Sequence, residues 1–441
     1  MYFVNIMTLH LNSSGFLMFK FVKYSHSSTV KFIMKNKILF VLLLTAMSQT
    51  SFASETSDEI ALLRQQVQLL TERLNKLEAK TSDNVKQQKV LTEKVASNTK
   101  TSEPTGSSWA NKMSFKADFR DRYEYIDQKG AEIRQRNRVR LRAQFDMQVN
   151  KDLGFTLGLA TGADDPVSTN QSLDGGFSTK DVRLDLAFFN YQLSDNFSLI
   201  GGKMKNPLYK PAKNPILWDG DLNPEGFALN YDHGSIHASF VGFSVEERKA
   251  ADDTLMFGGQ LMHGRKISDN ITINAGIGYY DYRNLKGNAP LYNGKNKGNT
   301  LDANGNLAND FNTAEIFAEI KSKLAGRPLS VYANYYKNTA ADDLDAAYTV
   351  GFKYGKVSGS DSWDFGLAYL DTEADALLGT FNDSDFAGGN TDSKGMLLKA
   401  GYGIKKNISL GLTYIDSEIG QSQLTQTDYD RLQLDFKIKF K

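Results

Sequence analysis

Two periodicities divide the chain. Between Ile60 and Asn98 apolar residues recur three and four apart, at Ile60, Leu63, Val67, Leu70, Leu74 and Leu77, and the same register runs on through Asn84, Leu91 and Val95. That 3.5-residue repeat predicts an α-helical coiled coil over 56–98. A single helix about 57 Å long would leave its apolar seam in water, so the coil is expected to self-associate. Beyond Trp109 the helical period stops. Segments of about ten residues then alternate apolar and polar side chains with a period of two, beginning with Met113, Phe115, Ala117 and Phe119 set against Lys116, Asp118 and Arg120. Sixteen can be laid out, near 113–120, 132–149, 153–162, 181–193, 197–204, 226–232, 236–246, 254–267, 271–282, 311–323, 329–337, 346–357, 362–371, 394–404, 408–418 and 429–440. Short turns such as 150–152, 194–196 and 268–270 interleave with longer loops such as 163–180, 205–225, 283–310 and 372–393. The expectation for 111–441 is an all-β antiparallel transmembrane barrel of about sixteen strands, with both barrel ends and the coil on the short-turn side. Tyr123, Tyr125, Tyr279, Tyr280, Tyr282, Tyr335, Tyr336, Tyr369 and Trp363 fall near strand ends, where aromatic girdles meet the membrane interface.

One apolar run, Ile38–Met47, is too short to span a bilayer as a helix. Met34-Lys35-Asn36-Lys37 precedes it and Ser51-Phe52-Ala53 follows, so 34–53 reads as an export signal peptide with a small-x-small cleavage site. Residues 1–33 do not fit such a signal and are expected to be an upstream extension from a misassigned start. Residues 99–110 begin TKTSEPTGSS and read as a polar linker. With 52 Lys+Arg against 51 Asp+Glu, nothing suggests nucleic-acid binding. The chain has no Cys and five His without metal-ligand spacing, so no metal site, thiol chemistry or cofactor is expected.

The sharpest chemical feature is Arg134, Arg136, Arg138, Arg140 and Arg142, placed at every second position. Alternation puts all five on one face, over roughly 26 Å at about 3.3 Å per residue. An arginine facing lipid would cost about 2 to 4 kcal/mol at the midplane, so the row is expected to line the lumen. Two readings stay open: a track for anions, or a wall neutralised by Asp118, Asp121, Glu124, Asp146 and Asp185 on neighbouring strands.

The loop 206–226 holds four of the eight prolines together with Trp218. Fixed proline φ angles stiffen it, as a lumen constriction requires, with Lys205, Lys210 and Lys213 facing Asp219, Asp221 and Glu225; a rigid outer cap is the other reading. Carboxylates at Asp164, Asp165, Asp252, Asp253, Asp342, Asp343, Asp345, Asp383 and Asp385 lack the ordered spacing of a Ca²⁺ loop and read as solvated. His237 and Ser239 share a strand face with the spacing of the base and nucleophile in outer-membrane phospholipase. Phe240-Val241-Gly242 follows where that family has Asn-Gly, and no catalytic residue is expected.

A signal peptide, a short coiled coil and a barrel with an Arg-rich second strand resemble the putative porin family of Gram-negative bacteria, most suggestively over Arg134–Arg142 and Lys205–Phe227. The resemblance implies a homotrimer of sixteen-stranded pores, set in outer-membrane lipid and lipopolysaccharide with a periplasmic coil, passing small hydrophilic solutes by diffusion. Variants of that reading are a channel selective for phosphate or another anion, and an envelope tether whose coil contacts peptidoglycan. Such families usually end on an aromatic residue, whereas here Phe440 is penultimate. The export signal generates a direct expectation: N-terminal sequencing of membrane-extracted protein should read from Ser54, and peptides from 1–33 in that material would refute it.

Overall fold

The computed structural model describes residues 4–11, 17–24, 68 and 109–440, and the chain divides into two units, Met1–Glu103 and Pro104–Lys441. In the first, Val4–Leu11 pairs antiparallel with Leu17–Tyr24. The expected export signal and coil lie outside the described residues except for Gln68, which is helical.

The second unit is a closed antiparallel barrel of sixteen strands, numbered here in chain order. They are β1 (Met113–Gln128), β2 (Arg134–Gln148), β3 (Leu153–Thr161), β4 (Val182–Gln192), β5 (Phe197–Lys203), β6 (Glu225–His233), β7 (Ile236–Glu246) and β8 (Thr254–Ser268). The second half comprises β9 (Ile271–Arg283), β10 (Phe311–Leu324), β11 (Arg327–Asn338), β12 (Ala346–Gly355), β13 (Trp363–Thr372), β14 (Ser393–Lys405), β15 (Ile408–Ile419) and β16 (Thr427–Phe440). Each strand pairs with the next, and β16 closes on β1 from Tyr429↔Gln128 to Phe440↔Ala117. Closure leaves no unpaired edge, the condition for a sheet to sit in hydrocarbon.

Side chains alternate as the period of two demands. On β10, Ile316 and Ile320 face outward, 57% and 45% exposed, while Glu315 and Glu319, each one position earlier, are buried inside. The same parity corrects the expected aromatic girdle. Tyr123, Tyr125, Tyr279, Tyr335, Tyr369 and Trp363 keep the outward parity, but Tyr280, Tyr282 and Tyr336 are buried in the lumen. Adjacent tyrosines on one strand must point to opposite faces, so Tyr279–Tyr280 and Tyr335–Tyr336 each place one ring outside and one inside.

The lumen is filled unevenly. The loops 204–224, 284–310 and 373–392 fold inward and bury Leu208, Ile216 and Trp218 with Leu285, Leu307, Leu377 and Phe386 against wall residues Met256, Tyr280 and Ile415. This apolar packing lines much of the wall from β7 to β15. Gly202 and Gly226, paired across β5 and β6, flank the first of these loops: their φ angles of 117° and 145° are readily reached only by glycine, and a Cβ on either would lie 2.2 Å from a backbone oxygen. Strand β3 is short, and above it the loop 162–181 takes over its pairing, with Ser172 and Gln171 opposite Arg138 and Val139 of β2. That loop carries Ser168 and Asn170 to the arginine wall.

Candidate functional site

Strand alternation delivers the five arginines of β2 to the lumen, and their surroundings fall into two groups. At the upper end the Arg136 Nε lies 2.5 Å from Glu124 Oε2, and the Arg138 Nη1 lies 3.7 Å from Glu124 Oε1. Lower down, Arg140 and Arg142 share Asp118 at 2.8 and 2.9 Å and Asp221 at 3.4 and 3.3 Å. Arg134, exposed at the top, has no carboxylate partner among the described residues. Of the carboxylates weighed as a neutralising wall, Asp118 and Glu124 touch the row. Asp146 pairs instead with Lys116 at 2.7 Å, Asp185 accepts from Asn223 at 2.8 Å, and Asp121 has the outward parity of β1.

Closure adds cations that the sequence reading did not select. Arg120 and Arg122 on β1 and Arg431 on β16 lie beside the β2 row because β1 sits between β2 and β16. Arg122 holds Asp435 at 2.6 Å, and Arg431 holds Glu124 at 2.8 Å and Asp385 at 2.7 Å. Arg120 donates to Asn170 and has no carboxylate within 4 Å among the described residues. Glu124 is therefore a fully buried carboxylate approached by Arg122, Arg136, Arg138 and Arg431. Its desolvation is offset only because several guanidinium groups converge on it. The signal was present in sequence as the same-face parity of β1, but which strand would lie alongside was not.

The loop 204–224 is fastened to the opposite wall and reaches across. Trp218 packs against Tyr280 with centroids 5.1 Å apart, and its indole N–H donates to the Tyr282 hydroxyl at 3.2 Å. Tyr209 exchanges backbone hydrogen bonds with the Gln260 side chain at 2.7 and 3.0 Å, and its hydroxyl contacts Glu319 and Asn274. From this anchored loop Asp221 meets Arg140 and Arg142. The expected charge pairs across the loop are not formed. Lys210 donates to the Trp218 carbonyl at 3.1 Å, Glu225 pairs with Lys203 at 2.9 Å, Lys205 lines a cavity, and Lys213 is exposed. Apolar packing and backbone bonds hold the loop, so its acids are free to turn toward other elements.

Asp219 is one such acid. It accepts from the Asp221 and Ser384 amides at 2.7 and 2.9 Å, joining this loop to 373–392. Burial, with Asp383 and Asp221 close by, pushes its carboxyl well above the usual range. Burial acts on Asp221 in the same direction, but Arg140 and Arg142 overcome it and hold that carboxyl low.

Two cavities flank the crossing. One of about 400 Å³ toward the short-turn end is lined by Lys116, Asp118, Arg142, Asp185, Lys205 and Lys439. The other, about 270 Å³ toward the long loops, is lined by Arg134, Arg136, Arg138, Lys295, Lys297 and Arg431 with Asp165 and Asp385. The β2 row runs from one to the other. His237 and Ser239 border a third space, where the Ser239 hydroxyl donates to Asn230 at 2.8 Å and His237 contacts Asp232. The serine is thus bonded away from the imidazole, unlike an activated nucleophile.

The sequence matches a family described as "Putative porin" over residues 128–305 and 300–440. No curated protein matches the chain. Among solved structures, Pseudomonas putida OprB in its high-pH form is similar at 13% identity and a TM-score of 0.52, over 75% of this chain and 95% of that one. Salmonella typhi OmpF, in complex with daunomycin, matches at 11% identity and a TM-score of 0.46, over 74% of this chain and 97% of that one. The first of these shows a shared barrel fold. The charge cluster yields a stability expectation: Glu124→Gln leaves four guanidinium groups without their shared carboxylate and should destabilise the barrel by about 3 to 5 kcal/mol. Unfolding by denaturant in detergent measures it, and an unchanged midpoint would show that Glu124 does not hold the cluster.

Proposed function

The chain belongs to the putative porin family, and on that premise we propose that it forms a water-filled outer-membrane channel for passive diffusion of small hydrophilic solutes, biased toward anions. The family and the fold point to a channel rather than an enzyme. The observation that carries the anion bias is the arginine row joining the two cavities. An anion entering from the long-loop side meets Arg134, Arg136 and Arg138, passes Arg140 and Arg142 at the crossing, and leaves by the lower cavity. No chemical step is involved. The wall supplies positive potential in a low-dielectric cleft, which concentrates counter-ions and lowers their barrier to entry.

Neutralisation by the wall carboxylates is partial, because Arg120 and Arg134 lack a carboxylate partner among the described residues. Asp221 acts as an internal competitor: it sits on the two guanidinium groups that a passing anion would use. The proline-rich loop that carries it sets the constriction. Guanidinium groups stay charged across the ordinary pH range, so the bias is insensitive to pH but falls as salt shortens the Debye length below about 10 Å at 0.1 M.

Self-association as a homotrimer is part of the same proposal. Asp121 lies exposed midway along β1, on the outer face among Val139 and Phe436, with no ion-pair partner among the described residues. Asn137 and Gln135 extend that polar strip on β2, and the loop beside it exposes Leu173 and all of Phe177. Lipid is a poor partner for the strip, and a second copy would cover it. The coil over 56–98 adds a second means of association, in a periplasmic position if the long loops face outward through lipopolysaccharide.

Single-channel recording in a salt gradient tests the bias. Replacing Arg136, Arg138 and Arg140 together with Gln should lower the anion-to-cation permeability ratio by roughly tenfold, the low end of what a one-sign cleft does to local counter-ion concentration. Asp221→Asn should raise the ratio. An unchanged reversal potential in both would mean that the wall is neutral and the anion reading wrong. Native mass measurement in mild detergent should give three copies; a monomer would overturn the trimer.

A further inference from the structure

We propose that the cavity toward the long loops is a saturable binding site for a small multivalent oxyanion of the phosphate type, occupied before the solute enters the arginine row. This rests on the reading of the chain as an anion-biased channel and adds a ligand class and a site to it. The residues come from three separate parts of the fold. Arg134, Arg136 and Arg138 stand on β2, Arg431 on β16, and Lys295 and Lys297 on the inward-folded loop 284–310. Against these six cations the lining holds two carboxylates, Asp165 and Asp385. Asp385 is already engaged by Arg122 at 3.1 Å and Arg431 at 2.7 Å. Arg134, Lys295 and Lys297 form no ion pair within 4 Å among the described residues.

The donors are also held in place. Glu124 fixes Arg136 and Arg431 from behind, and the Arg138 Nη2 donates to Ser168 Oγ at 3.2 Å and to the Asn170 carbonyl at 3.4 Å. Two buried N–H groups, the Nε of Arg138 and of Arg431, meet no acceptor in the protein, although Arg431 is only 3% exposed. Buried donors are normally satisfied, and oxygens of a bound anion could satisfy them. Lys297 is half-buried; burial pushes its ammonium down, with Asp165 opposing and Lys295 adding to the shift. A neighbouring anion would relieve both effects.

The arrangement selects a class. Guanidinium forks match pairs of oxygens on a carboxylate or phosphate, and lysines serve phosphate as point charges. An excess of positive charge gathered in one cavity favours an anion that carries more than one negative charge over chloride or a monocarboxylate. The volume, about 270 Å³, lies just below the range of roughly 300 to 1,000 Å³ for drug-sized ligands and leaves room for inorganic phosphate or a short phosphorylated solute.

The test uses the whole mature protein in planar phosphatidylcholine bilayers, with chloride carrying the current and inorganic phosphate added to one side. Phosphate on the long-loop side should reduce the chloride current saturably, and calorimetry on detergent-purified protein should report binding without reference to conduction. The double variant Lys295→Gln with Lys297→Gln should raise the half-blocking concentration by about tenfold, equivalent to about 1.4 kcal/mol. Lys295→Arg with Lys297→Arg should keep the block, which separates charge from local folding. Adding lipopolysaccharide in place of phosphate distinguishes a lipid-linked phosphate from a free one, and only the free ion should block. Absence of both block and heat in a channel that still prefers anions would overturn the site while leaving the functional reading intact. A channel that prefers cations without phosphate present would overturn that reading itself. Block by lipopolysaccharide alone, or an unchanged half-blocking concentration in the Gln variant, would also reject the proposal.

Discussion

Hydrocarbon offers no hydrogen bonds, so every backbone N–H and C=O in the membrane must find its partner within the sheet. The pairing of β16 with β1 meets that condition. Once the sheet is closed, each strand has one face toward lipid and one toward the lumen, and the period of two assigns every side chain to one of them. The apolar outer face, the buried inner tyrosines and the inward arginine row all follow from this single parity.

Closure also creates an interior that must be partly filled. Three loops do this with apolar side chains packed on the β7–β15 side, around Trp218, Tyr280 and Leu377. The charged residues collect where that packing ends, along β16, β1 and β2. A carboxylate as buried as Glu124 would be prohibitive alone, since its effective desolvation penalty is several kcal/mol. Four guanidinium groups make it tolerable, and the carboxylate in turn lets the arginines stand close together. The two are mutually dependent, and farther along the same wall the loop 204–224 brings Asp221 to Arg140 and Arg142.

Two charges 4 Å apart interact by about 1 kcal/mol in bulk water and about 4 kcal/mol at an effective dielectric of 20. The second regime applies to a lumen wall backed by lipid. Asp221, at 3.4 and 3.3 Å from Arg140 and Arg142, therefore offsets part of the positive potential of the wall at the crossing.

The barrel class and the sixteen strands were legible along the chain, because alternation is a local property that survives without knowledge of neighbours. The inward direction of Arg134 to Arg142 was legible too, since lipid excludes them. Partnerships were not. Glu124 and Asp118 were two of five carboxylates that could have met the row; parity alone puts Asp121 outside, but only register set Glu124 and Asp118, and not Asp146, against the arginines. Arg431 lies 289 positions or more from the β2 row in sequence and beside it in space because the last strand must pair with the first. Likewise the acids of the proline-rich loop were expected to face its own lysines, yet apolar anchoring by Trp218 and Tyr209 aimed Asp221 at the far wall. Periodicity fixes which face a side chain occupies; which charges meet across a lumen depends on how the barrel closes and how its loops pack, and those are properties of the whole sheet.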